Sequence, residues 1–277
     1  MANKYEYSSP QKLDGVSRYF IKIPESIIYD DEVGDKLLTV FSFFSVRKGL
    51  DDKTMFTVNK MVEWSGKKPN RHVGSINSRF KDAIRYLDEN GYISVDCDPS
   101  SISDAKCCSA RINMNKIHDE CDDYDFAVIY VDELEKILGW KSQNPKDTFS
   151  NNDTILRVFA YLRMIIKRRS NKMPNDEIDI EKRKAKWPEA WNGYYKNMAE
   201  VLNISDKAMS NVVDILCDLG LIYKETLDRK KYDGKWFTQQ TIFCNAYKRE
   251  GQYLLASGEE YYKDEIKNKK KILNIVD

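Results

Sequence analysis

Between positions 65 and 85 the chain carries Lys67, Lys68, Arg71, Arg79, Lys81 and Arg85 against one carboxylate, Asp82. Cations at this density suit phosphate, because each one placed on a nucleic-acid backbone releases a condensed counterion. Interleaved with them are Asn70, Arg71, His72, Ser75, Asn77 and Ser78. These are polar side chains, several with donors, of the kinds that read base edges in a major groove about 12 Å wide. Gly74 would let a backbone approach closely. An ordinary solvated helix face also looks like a charge run, so the chemistry depends on the element that carries it.

A second group lies later in the chain. Lys207, Ser210, Asn211 and Asp214 fall on one predicted helix face, and Arg229, Lys230, Lys231 and Lys235 surround an Asp233-Gly234 hairpin turn. A basic hairpin tip commonly reaches the sugar-phosphate backbone or the minor groove. Arg163, Lys167, Arg168, Arg169 and Lys172 are ambiguous, since cations at a helix end also favour the macrodipole. Lys182, Arg183, Lys184 and Lys186 read as a further phosphate contact or a basic loop. Trp187, Trp191, Tyr194 and Tyr195 beside them could stack on bases, but packing is the commoner use of such a cluster.

Other chemistries find less support. Cys97, Cys107, Cys108, His118 and Cys121 offer zinc-type ligands, yet no Cys-x-x-Cys pair occurs and the spacings are irregular, so no metal is expected. The two histidines, His72 and His118, are too far apart for a His-x-His or His-Glu-x-x-His site. No phosphate-binding Gly-x-x-x-x-Gly-Lys-Ser/Thr loop and no Gly-x-Gly-x-x-Gly fingerprint appears among the twelve glycines. Neither an enzymatic activity nor a cofactor is expected.

The elements that position the basic residues repeat. Asp35–Val46 aligns without gaps on Asp153–Met164, with Asp, Leu, Val and Phe shared at Asp35/Asp153, Leu38/Leu156, Val40/Val158 and Phe41/Phe159. Later, Leu87-x-x-x-Gly91-x-Ile93 matches Leu216-x-x-x-Gly220-x-Ile222. In the first copy, apolar spacing predicts helices over 35–47 and 58–64 with a short strand at 54–57 between them. A third helix is predicted to open at Lys67–His72 and run to Asn90, closed by Gly91, before a hairpin over 92–97 and 109–114. The second copy predicts helices over 153–169 and 194–202, a turn at 203–205, and a helix to Leu219 that Ser205 caps and Gly220 closes. Its hairpin runs over 221–227 and 236–245, and a polar insertion occupies 170–192.

Helix, strand, helix, turn, helix, hairpin is the order of a winged helix. The expected fold is therefore α+β, mainly helical, with tandem winged-helix domains. The expected organisation is a flexible arm over 1–17, a first winged-helix domain over 18–115 and an acidic linker with an extended segment over 116–150. A second winged-helix domain over 151–248 and a charged C-terminal helix or tail over 249–277 complete it.

Composition agrees with this reading. The 277 residues are 42% hydrophobic and 32% charged, with 45 Lys+Arg against 44 Asp+Glu, which excludes both a disordered chain and a general polycation. The polar N-terminus has no signal-peptide core, and no apolar run approaches the roughly 18 residues of a membrane span. A cytoplasmic protein with reduced thiols is expected.

Tyr19-Phe-Ile-Lys-Ile-Pro24, the Asp-Lys-Leu-Leu run after it and the tandem duplication resemble winged-helix replication initiators of plasmids and phages from Gram-positive bacteria. The likeness covers about residues 18 to 95, and the second copy by architecture. It implies a protein that binds repeated double-stranded sites at an origin, sometimes as a homodimer, and recruits host helicase-loading proteins. By position, Arg71, Ser75, Asn77 and Ser78 would match the base-reading segment, and Lys81 and Arg85 the backbone contacts. A winged-helix transcriptional regulator, or an interaction module without DNA binding, would share the same architecture.

Overall fold

A computed structural model describes residues 11–13, 16–34, 36–72, 74–123, 125–142, 151–166, 190–226, 231–232, 235–236 and 241–245. The architecture is α+β, with short helices around small antiparallel sheets. Two compact units are present, one formed by residues 18–164 and the other by 11–17 with 165–277, each for its described part. No described helix is long and apolar enough to cross a membrane.

The first unit begins with a pair of strands. Phe20–Pro24 (β1) pairs antiparallel with Phe126–Tyr130 (β2), Phe20 facing Tyr130 and Pro24 facing Phe126. Lys22 stretches over the Phe126 ring, 4.5 Å from its centroid. Glu25–Tyr29 (α1) follows β1 directly, and Lys36–Arg47 (α2) is buried on all sides from Leu37 to Ser45. A helix buried all round forms the middle of a core, not its edge.

Lys53–Phe56 (β3) leads into Val58–Trp64 (α3), capped by Thr57, whose hydroxyl accepts from the Lys60 N–H at 3.1 Å. Ile76–Glu89 (α4) buries Phe80, Ala83, Ile84 and Leu87, three and four apart, against α2 and α3. It ends in a Schellman motif at Gly91, φ +71°, with Tyr92 N–H bonded to the Leu87 carbonyl and Gly91 N–H to that of Asp88. Ile93–Val95 (β4) and Cys108–Ile112 (β5) then join β3 in a three-stranded sheet with β5 in the centre.

Met114–Asp123 (α5) occupies what composition marks as an acidic linker. Ile117 and Cys121 face inward, and the Glu120 carboxylate accepts from Tyr92 Oη at 2.7 Å and Ser26 Oγ at 2.5 Å. Those contacts dock a segment that its exposed acids alone would leave in solvent. Val131–Gly139 (α6) and Asn152–Ile165 (α7) complete the unit. The sequence repeat assigns α7 to the second half, but its packing places it with the first unit. Every residue from Asp153 to Met164 is buried. Arg157 Nε donates to the Ile28 carbonyl at 2.9 Å, and Arg163 pairs with Glu133 at 2.9 Å.

The second unit repeats the order from strand to sheet. Ala190–Gly193 (β6), in the stretch read as a polar insertion, precedes Tyr195–Val201 (α8) and Asp206–Asp218 (α9). Ile222–Thr226 (β7) and Thr241–Asn245 (β8) follow, and β8 lies between β6 and β7 as β5 lies between β3 and β4. Ser205 caps α9 by accepting from Ala208 N–H at 3.2 Å, and Gly220 closes it with the same two bonds seen at Gly91. Trp191 stacks on Phe243 with centroids 5.8 Å apart, and the Tyr195 ring meets Phe243 edge-on at 5.7 Å. Those aromatics serve packing. Trp187, the basic run over 167–186, and the expected N-terminal arm up to position 10 and C-terminal tail lie outside the described residues.

Candidate nucleic-acid interface

Among the described residues between Gly66 and Ile76 none is helical, so this segment is not the start of α4. α3 stops at Gly66, φ +78°, where a Cβ would lie 2.7 Å from the Leu138 carbonyl oxygen. The helix that sequence expects from Lys67 begins only at Ile76. Pro69 disfavours helical backbone at Lys68, and Gly74 adopts φ +72°. Ser75, Asn77 and Asn70 hold the turn. Asn77 accepts the Asn70 N–H at 2.9 Å and donates to Asn59 Oδ1 on α3 at 2.9 Å, while Ser75 Oγ donates to the Asn70 carbonyl. The Asn70 side chain in turn accepts from the His72 N–H at 3.1 Å.

This bracket separates the expected contact residues into two sets. Lys68, Asn70, Arg71 and His72 are exposed on the turn, as is Arg79 on the first turns of α4. Arg71 is 74% exposed at its side chain. A Cβ on Gly74 would meet nothing within 4 Å, so the space over the turn is open. Ser75 and Ser78 are half-buried, and Arg85 leans on Asp82 at 3.1 Å along α4.

The second set is engaged by other side chains of the fold. Asn77, expected on the exposed face, is 1% exposed and is spent on the turn. Lys67 is drawn to the buried Asp153 at the start of α7, which Lys36 also reaches and whose other oxygen accepts from Thr39 at 2.6 Å. Burial opposes ionisation of Asp153, but Lys36 and Lys67 outweigh it and hold the carboxyl below its usual range. Lys81 pairs with Asp104 at 2.8 Å. Sequence reasoning missed Asp104 and Asp153 because both lie far along the chain from the cations they meet.

In the second unit Lys207 is exposed, and Ser210 and Asn211 are half-buried on α9. Asp214 pairs with Lys224 of β7. Arg229 and Lys230 lie outside the described residues. Lys231 and Lys235 lie on two short strands paired Lys231 to Trp236 and Tyr232 to Lys235. Arg163, ambiguous by sequence, is buried beneath the Phe159 ring and paired with Glu133.

The cysteine grouping also divides. Asp96, Cys97 and Cys108 have ligand atoms within 4.8 Å of one another, while His118 and Cys121 lie on α5. Three ligand atoms fall short of the four of a closed zinc site. Burial, then a hydrogen bond with Cys108, pushes the Cys97 thiol up to about 12. The Asp96 oxygens already accept from Ser109 N–H and Oγ, both at 2.8 Å.

No family model matches the chain, and no curated protein is significantly similar to it. Among solved structures it is similar to the crystal structure of the RctB domains 2-3, RctB residues 155–483, at 11% identity and a TM-score of 0.38. That likeness covers 86% of this chain and 90% of the other. A likeness of this degree says nothing of shared function.

Proposed function

We propose that the chain is a sequence-specific double-stranded DNA-binding protein built on two winged-helix units. The observation that carries this reading is the turn before α4, which displays Lys68, Asn70, Arg71 and His72 together in front of the open space at Gly74. Lys68 on that edge suits phosphate, and the Asn and Arg donors beside it suit base edges. The repeated order of strand, two helices and two strands, with the last strand central, supports the winged-helix assignment in both units.

The biological role we infer is replication initiation on a plasmid or phage-like element, with binding at origin sites and recruitment of host replication proteins. It rests on the resemblance of Tyr19–Pro24 and its following run to such initiators, and on the tandem arrangement. Catalysis has no part in this reading. Fluorescence anisotropy on duplex DNA from around the gene and on random duplex, across about 50 to 200 mM salt, tests the binding. Preference for the flanking DNA with a steep salt slope supports it. Absence of binding at low salt would leave a protein-interaction module. Maintenance of a plasmid that carries the gene and its flanking DNA then separates an initiator from a transcriptional regulator.

A further inference from the structure

The loop between β4 and β5 brings an anion to the edge that would face DNA. Its 3-10 turn, Pro99–Ser101, packs against α4, and Ile102 is buried beside it. Asp104 follows. Its carbonyl accepts the Asn59 N–H at 3.0 Å, its carboxylate pairs with Lys81 at 2.8 Å, and Arg71 Nε stands 4.0 Å from its second oxygen. The Asp104 side chain is 15% exposed. Burial works against its charge, yet Lys81, Asn77 and Arg71 together keep the carboxyl below its usual range. The loop is thus anchored on α3 through the Asp104 backbone carbonyl and on α4 through its ionised carboxylate.

This arrangement has a consequence for two of the cations expected to meet phosphate. A backbone phosphate drawn to Lys81 or Arg71 must compete with a carboxylate already in place. Sequence-independent binding, which is almost wholly electrostatic, loses most by that competition, whereas a specific site keeps its base contacts. We propose that Asp104 is a selectivity residue that holds Lys81 and Arg71 back from phosphate and so suppresses binding to DNA of arbitrary sequence. The proposal rests on the DNA-binding reading above and adds to it a residue that weakens binding.

The test uses the full chain with Asp104→Asn, measured by anisotropy on flanking and random duplexes of equal length over the same salt range. Random duplex is expected to bind about fivefold more tightly, the flanking duplex to gain less, and the salt slope to steepen by about one for each cation released. Lys81→Gln is expected to change random-duplex affinity by less than about twofold, because the lysine is already neutralised. In the Lys81→Gln background the gain from Asp104→Asn shrinks. If Asp104→Asn keeps the wild-type melting temperature and weakens binding, or leaves affinity and slope unchanged, the proposal is overturned while the DNA reading stands. Should Asp104→Asn not fold, a tenfold loss on random duplex in Lys81→Gln alone overturns it. Wild-type protein that binds no duplex at low salt removes the DNA reading and the proposal with it.

Discussion

Lys67, in the turn before α4, reaches the carboxylate of Asp153, 86 residues further along the chain in the first turn of α7. Lys36 shares that carboxylate from the start of α2, so two helices and the turn before α4 are tied at one buried point by two cations and one anion. The first lysine of the basic stripe is therefore structural. What remains for DNA is the outer edge of the turn, Lys68 to His72.

Removing Asp153 should be costly. Asp153→Ala leaves Lys36 and Lys67 without their counter-charge, and loss of one partner of a buried pair typically costs about 3 to 5 kcal/mol. Chemical denaturation of the two proteins checks the value.

The same group predicts an acid-sensitive fold. A carboxyl held below its ordinary value of 3.8 contributes stability that is present above that value and is lost as pH falls below it toward the folded value. Melting temperatures from pH 7 downward should decline below about pH 4. Asp153→Asn should flatten that part of the profile, and an unchanged profile would show that other carboxylates control it.

Asn77 should behave as a turn residue. Asn77→Ala leaves the Asn70 N–H and Asn59 Oδ1 without the partner that the structure gives them. The expected cost is about 1 to 3 kcal/mol of stability. Hydrogen exchange at the Asn70 amide should speed up in parallel, and a variant with wild-type exchange there would contradict the bracket.

Arg71 and Lys68 should separate specificity from affinity. Arg71→Ala is expected to cost about 1 to 3 kcal/mol on the preferred site and to relax preference at one or two base pairs. Lys68→Ala should weaken all duplexes alike and lower the salt slope by about one. Equal losses on specific and random DNA for both variants would remove the turn as the reader.

Gly193 should tolerate no side chain. A Cβ there would fall inside the Trp191 indole, which lies stacked on Phe243. Gly193→Ala is expected to destabilise the second unit by about 1 to 3 kcal/mol, with Trp191 fluorescence shifting as the stack opens. Unchanged fluorescence and stability would show that the indole relocates freely.

Local rules were legible in the residues themselves. The Leu-x-x-x-Gly-x-Ile pattern at Leu87 and Leu216 marks two helix ends, because a Schellman motif sets a left-handed glycine four residues after the apolar residue whose carbonyl takes its longer bond. Ser205 as a cap, the stripe of Phe80, Ala83, Ile84 and Leu87, and the hairpins after both glycines follow from spacing alone. What spacing could not supply was the partner of each charge. Lys67 and Lys81 look like Lys68 in sequence, and only the meeting of the turn with Asp153, and of the β4–β5 loop with α4, pairs two of the three with carboxylates. Helix periodicity and caps are set by residues a few positions apart. Ion pairing across tens of residues depends on which surfaces the packed core brings together, and that the tertiary structure alone decides.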